Sequence, residues 1–204
     1  MNYKSHLSKD KKLAAIIEGQ KTFRLDNREN VFLSLCGSII SQQLSVKVAA
    51  VIYKRFLDLY KTENPDPAEV EATPLEVLRG IGLSNAKANY VKNVAQFAIS
   101  PGMDRNILNL KTDEELIEYL TAIKGVGRWT VEMLLMFTLG REDVFAVDDL
   151  GIQNAMIRLY KLKRDDKKKF RNDLLRISNR WKPYRTYACL HLWHWKDNVP
   201  AVKS

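Results

Sequence analysis

Apolar positions along this chain recur three and four residues apart almost throughout. The few β-branched clusters lie inside longer runs of the same period, so the pattern predicts an all-α protein. Residues Asn30 to Tyr60 read as one or two long helices, and the two prolines of "NPDPAE" at 64–69 break them. A restart is expected in "TPLEVLRGIG": Thr73 can cap, Pro74 suits the first helical position and Glu76 completes a capping box, with Gly80 and Gly82 as the stop. "LSNAKANYVKNVAQFA" continues as helix, and "TDEELIEYLTAI" opens on a second capping box, Thr112 with Glu115. "WTVEMLLMFTLG" is helical up to Gly140, and "DDLGIQNAMIRLYKL", "DKKKFRNDLLRISNRW" and "PYRTYACLHLWHW" follow as three more helices.

No solenoid repeat emerges, but two units echo each other: "LEVLRGIGLSNAKANYV" and "LIEYLTAIKGVGRWTVEML" are both helix, Gly-x-Gly and helix. In the second, "AIKGVGRWT" at 122–130, the glycines allow a sharp reversal between helices. Such a turn leaves the first amides of the following helix pointing outward at its positive end, where an anion binds well. A dinucleotide fingerprint is excluded, because the third glycine is missing and a helix rather than a strand precedes; the P-loop pattern is absent too. A plain structural turn and a grip on a nucleic-acid backbone remain.

Charge bears on that choice. Thirty-three Lys and Arg against 24 Asp and Glu leave +9, which favours polyanions, and Lys124 and Arg128 stand beside the glycines. Amides that touch phosphates carry no base information, so such a grip reads no sequence. The basic run "KLKRDDKKKFR" at 161–171 reads as a solvated helix face. A length of 204 residues allows one sizeable core or two lobes. Apolar runs such as "MLLMFTLG" are too short to span a bilayer and the charged N-terminus lacks a signal-peptide core, so the expected location is cytoplasmic and nucleoid-associated, or nuclear in a eukaryote. Cys36 and Cys189 alone cannot build a disulfide framework, a four-cysteine zinc site or an iron–sulfur cluster, and are expected as buried thiols.

Asp148 and Asp149 open the helix after the hairpin helix. One is expected to be its N-cap. An acid in a basic, DNA-facing surface repels phosphate, which is costly for a mere binder and useful to a catalyst that stabilises a cation.

"LTAIKGVGRWT" followed by "VFAVDDLGIQ" resembles the helix-hairpin-helix/GPD superfamily of base-excision DNA glycosylases, nearest its alkylation-repair branch, the DNA-3-methyladenine glycosylase II group. "IISQQLS" at 39–45, "LRGIGLSNAKANYV" at 78–91 and "RWKPYRTYACLHLW" at 180–193 extend the resemblance over most of the chain from about residue 30. It implies two helical lobes with a cleft between them, one of approximately residues 25–140 carrying the hairpin and one of approximately 1–24 with 141–204. Only about thirty residues precede the first matched motif, so an extra N-terminal domain is expected to be absent.

Carried over by position, the resemblance makes Asp149 the catalytic carboxylate, with Ile152 at the apolar place three residues on, and Asp148 the capping neighbour. Branches that form a Schiff base with the sugar carry a lysine directly after the "GVGR" turn; here it is Trp129, which implies a monofunctional hydrolase. Trp129 and Trp193 match aromatic residues of the base pocket, suited to a positively charged alkylated purine, and Met133 stands where a relative has tyrosine. Gln43 matches the wedge that fills the gap left by an extruded base. Lys124, Gly125, Val126, Gly127, Arg128 and Thr130 would hold one strand, and Gly82 and Ser84 the opposite one. No cofactor is required, though the carbonyls of Thr121, Ile123 and Val126 match a site for a structural Na+ or K+. The expected partner is damaged double-stranded DNA, and the protein a monomer without membrane contact. The competing classes are a non-catalytic hairpin DNA-binding protein and a glycosylase for oxidised or mismatched bases.

Overall fold

The computed structural model describes residues 2–25 and 30–198, and all their long regular elements are helical. In chain order these are α1 Tyr3–Leu7, α2 Lys11–Ile17, α3 Val31–Ser41, α4 Val46–Tyr60, α5 Pro67–Ala72, α6 Leu75–Gly80, α7 Asn85–Phe97, α8 Arg105–Asn109, α9 Asp113–Thr121, α10 Arg128–Phe137, α11 Leu150–Tyr160, α12 Lys167–Ser178 and α13 Arg185–Asn198. The Asn30 to Tyr60 stretch is thus two helices. Their break falls at Gln43, whose φ of 57° is left-handed.

Two compact units form, Met1–Asp26 with Gly140–Ser204, and Asn27–Leu139. The central unit is built around α3, with α4, α7 and α10 packed on it, and buries Leu35, Ile39, Phe56, Val91, Leu120 and Leu134. In the terminal unit α13 packs on α11 and α2, over a core that includes Leu13, Met156, Trp181 and Leu192. Burying each such large side chain contributes about 1.5–3 kcal/mol, so both units carry a core of their own. Cys36 and Cys189 are buried thiols, as expected. The run at 161–171 is mostly exposed, but Phe170 turns inward.

The caps decide where these helices begin. Thr112 and Glu115 form the expected reciprocal capping box at α9. The same reading fails at Thr73: Pro74 is the N-cap of α6 and no side chain caps it. Thr73 instead ends α5, where its hydroxyl donates back to the Glu69 carbonyl at 2.8 Å and meets the Tyr60 hydroxyl at 3.0 Å. Its oxygen is committed to the helix before, so it cannot serve the helix after.

Candidate active site

In the terminal unit, Val147 and Asp149 form tight turns, with the Asp149 amide donating to the Ala146 carbonyl at 3.1 Å. Asp149 is the N-cap of α11, where its Oδ1 accepts from the Ile152 amide at 2.8 Å. The expected assignment of the cap to Asp148 is corrected: that carboxylate lies one residue outside the helix and pairs with Arg171. Oδ1 of Asp149 also accepts the indole N–H of Trp193, on α13, at 2.9 Å. Gly151 makes room for this contact. A Cβ there would stand 3.0 Å from Asp149 Oδ1 and 3.1 Å from Trp193 Cδ1. Trp193, carried over as a base-pocket aromatic, is therefore also the residue that fixes the carboxylate, a role no sequence spacing reveals across 44 positions.

The hairpin between α9 and α10 belongs to the central unit. Within it the Val126 amide donates to the Ile123 carbonyl at 3.0 Å. Gly125 has φ of 103°, and a Cβ there would lie 2.2 Å from Cγ of Tyr90 on α7, so both the backbone angle and the close approach demand glycine. Asn93, also on α7, donates to the Lys124 carbonyl at 3.0 Å. The second helix of the first glycine unit thus forms the seat of the second. Gly127 is different: it is extended, caps α10 with no side-chain bond and has open space where a Cβ would be. The start of α10 is left with its amides as the local donors to an anion.

The neighbouring side chains divide. Lys124 is exposed, whereas Val126 and Thr130 are buried and can offer only backbone. Arg128 is bound to Glu114 at 2.7 and 3.1 Å and to Glu132 at 3.0 Å. Its guanidinium thus braces the hairpin between two acids. Trp129 is 43% exposed, too open for a core tryptophan, and Met133 lines a groove of about 810 Å³ with Ser34, Ser38 and Tyr53. In the first glycine turn it is Gly82 that adopts positive φ, 109°, while the Ser84 hydroxyl caps α7 by accepting from the Lys87 amide at 3.3 Å.

Gln43 occupies the exposed tip between α3 and α4. Beneath it Lys87 Nζ donates to the carbonyls of Ile40 at 2.9 Å and Gln42 at 2.6 Å, closing the end of α3, and burial pushes its ammonium pKa down. Sequence reading missed Lys87, because the partners are backbone atoms 45 and 47 residues away. Among the described residues no three His, Cys, Asp or Glu side chains converge as metal ligands, and no helix is long and apolar enough to cross a membrane. The Ile123 carbonyl, one of the three oxygens expected to hold a monovalent cation, accepts from the Val126 amide.

The family model of HhH-GPD superfamily base excision DNA repair proteins matches residues 36–180. DNA-3-methyladenine glycosylase 1 of Schizosaccharomyces pombe is 35% identical over 185 residues, 90% of this chain and 80% of that protein. A crystal structure of DNA-3-methyladenine glycosidase from Bacillus halodurans superposes with a TM-score of 0.84 at 37% identity, covering 97% of this chain and 89% of that one. The 3-methyladenine DNA glycosylase of Schizosaccharomyces pombe, solved in complex with abasic DNA, superposes with a TM-score of 0.81 at 33% identity over the whole of both chains.

Proposed function

The chain belongs to the HhH-GPD superfamily of base excision DNA repair proteins, and from that premise we propose that it is a monofunctional DNA glycosylase for alkylated purines. Its substrate class would be 3-methyladenine, 7-methylguanine and similar lesions, and its product an abasic site. The observation that carries this reading is the Asp149 carboxylate, held at a helix N-cap by the Ile152 amide and the Trp193 indole. A carboxylate so constrained is a fixed negative charge, suited to stabilising a cation that develops only in the transition state.

The steps follow from that charge. A base within a duplex is out of reach, so the nucleotide must be swung out, at a few kcal/mol that a damaged, poorly paired base reduces. Gln43, at its left-handed tip braced by Lys87, fills the vacated gap. The amides at the start of α10, with Lys124, hold backbone phosphate; the Gly82–Ser84 turn takes the opposite strand through its backbone, since the Ser84 hydroxyl is engaged in its cap. A monovalent cation on the carbonyls of Thr121, Ile123 and Val126 would add positive charge to the same hairpin.

Alkylation at N3 or N7 makes the purine cationic and a good leaving group, so the glycosidic bond breaks with the sugar passing through an oxocarbenium-like state. Asp149 stabilises that sugar cation and orients the water that attacks it. Trp129, where lyases have lysine, supplies no amine, so no Schiff base forms and the strand stays intact. An aromatic face attracts a cationic purine, the chemistry that the exposed Trp129 supplies. The enzyme works as a monomer. Incubation with methylated duplex DNA should release free purine without strand cleavage; strand cleavage or no release would contradict the reading.

A further inference from the structure

A second site lies on the Asp149 unit, in the basic run that the glycosylase reading leaves unused. Residues 161–171 contain seven Lys or Arg and two Asp, which places +5 of the chain's +9 on eleven residues. Part of this run turns inward to form a pocket of about 410 Å³. Arg164, Lys167 and Arg171 supply its cations, Phe170 and Leu174 its apolar surface, and Asp148 its one acid.

The cations are not equivalent. Arg171 is paired with Asp148, so the acid beside Asp149 is neutralised where it would otherwise repel a phosphate. Arg164 has no acidic partner among the described residues: its guanidinium donates to Gln153 Oε1 and lies over the Phe170 ring, 5.3 Å from the centroid. Gln153 is itself fixed, because its Nε2 donates to the Val147 carbonyl at 2.9 Å and its amide to the Asp149 carbonyl at 2.9 Å. The fork of Arg164 is thus tied, through one neutral side chain, to the segment that presents the candidate catalytic acid. The Lys167 ammonium makes no hydrogen bond or ion pair among the described residues, and adds a point charge on the same wall.

A stacked, pre-oriented guanidinium with a lysine beside it, over an apolar floor that strengthens the field, matches a phosphodiester in geometry and charge. We propose that Arg164 and Lys167 hold a backbone phosphate of the substrate DNA strand, in register with Asp149. This rests on the glycosylase reading. It adds a phosphate clamp to the unit that carries the carboxylate, so that the sugar is positioned from the same unit as the acid that acts on it. Amides and hairpin glycines take no part in this clamp.

The test compares Arg164→Gln with Lys167→Gln, made together, against the parent and against Lys9→Gln with Lys12→Gln, which removes equal charge from another basic pocket of the same unit. Binding to lesion-containing duplex is measured across a salt series, with single-turnover purine release at saturating enzyme. The clamp predicts a plot of log affinity against log salt that is shallower by about one to two, and about tenfold weaker binding near 0.1 M salt. The saturated release rate should also fall, by about threefold to tenfold, as the sugar loses its positioning, and the control pair should leave slope and rate near those of the parent. An unchanged slope in the Arg164/Lys167 variant, or an equal change in the control, overturns the clamp. Failure of the parent to release purine would instead overturn the glycosylase reading, and the slope comparison separates the two.

Discussion

The indole of Trp193 donates to Oδ1 of Asp149 at 2.9 Å, and the hydrogen at Gly151 is what lets the two meet. A hydrogen bond to a charged group contributes about 1.5–3 kcal/mol. If that energy fixes the carboxylate for catalysis, Trp193→Phe keeps an aromatic ring but loses the donor. Single-turnover purine release should then fall about 10- to 100-fold, while affinity for undamaged duplex stays the same. Equal loss in affinity and rate would mean that Trp193 serves only the fold or DNA binding.

Gly151→Ala tests the same geometry from the other side. Its new Cβ must displace either Asp149 Oδ1 or the indole, since both lie within 3.2 Å of where it would stand. The backbone angle there needs no glycine, so stability should drop by no more than about 1 kcal/mol while release falls at least tenfold. A large loss in melting temperature with an unchanged rate would contradict this.

The two hairpin glycines should differ sharply. Gly125→Ala combines a left-handed backbone with a collision against the Tyr90 ring, and is expected to cost more than about 2 kcal/mol by denaturant unfolding. Gly127→Ala meets open space, and should cost no more than about 1 kcal/mol. Similar losses at both would show that the turn depends on the motif in a way its geometry does not explain.

His191 gives the terminal unit a pH dependence. Its ring is buried against Phe23, with Nδ1 2.8 Å from Gln20 Oε1. Burial first, then the charges of Lys4 and His194, push its pKa down to about 4. Between that value and the ordinary one near 6.5 the unfolded chain takes up a proton that the folded chain refuses. The stability linked to His191 is therefore fully present above about pH 6.5 and is lost as pH falls toward 4, on the order of 2 to 3 kcal/mol. Melting between pH 7 and 4.5 should show this loss, and His191→Gln should flatten it. An equally steep curve in the variant would place the sensitivity elsewhere.

How much of this was legible depended on whether the cause was local. The Thr112–Glu115 box is a contact over three residues, and the sequence pattern names both partners. The Thr-Pro-x-Glu pattern at 73–76 looks the same but fails, since the competing acceptor, the Glu69 carbonyl, belongs to the preceding helix. Adjacent aspartates at 148 and 149 cannot be ranked by propensity; the turn that sends the Asp149 amide to Ala146 decides which of them caps. Helices α1, α2 and α8 span only five to seven residues, too few for a period to register. The superfamily was readable because five motifs fell in order along the chain, and the family match over 36–180 bears that reading out. The Trp193 bond and the Lys87 brace were not, as each joins residues more than 40 apart.

The most direct test of the central claim is single-turnover release of purine from methylated duplex DNA by Asp149→Asn. Asparagine keeps the size and an oxygen that can cap α11, so folding and DNA binding should persist while release falls about a hundredfold or more. Release at the parent rate from a folded, DNA-binding Asp149→Asn protein would show that this carboxylate is not the group that stabilises the departing sugar.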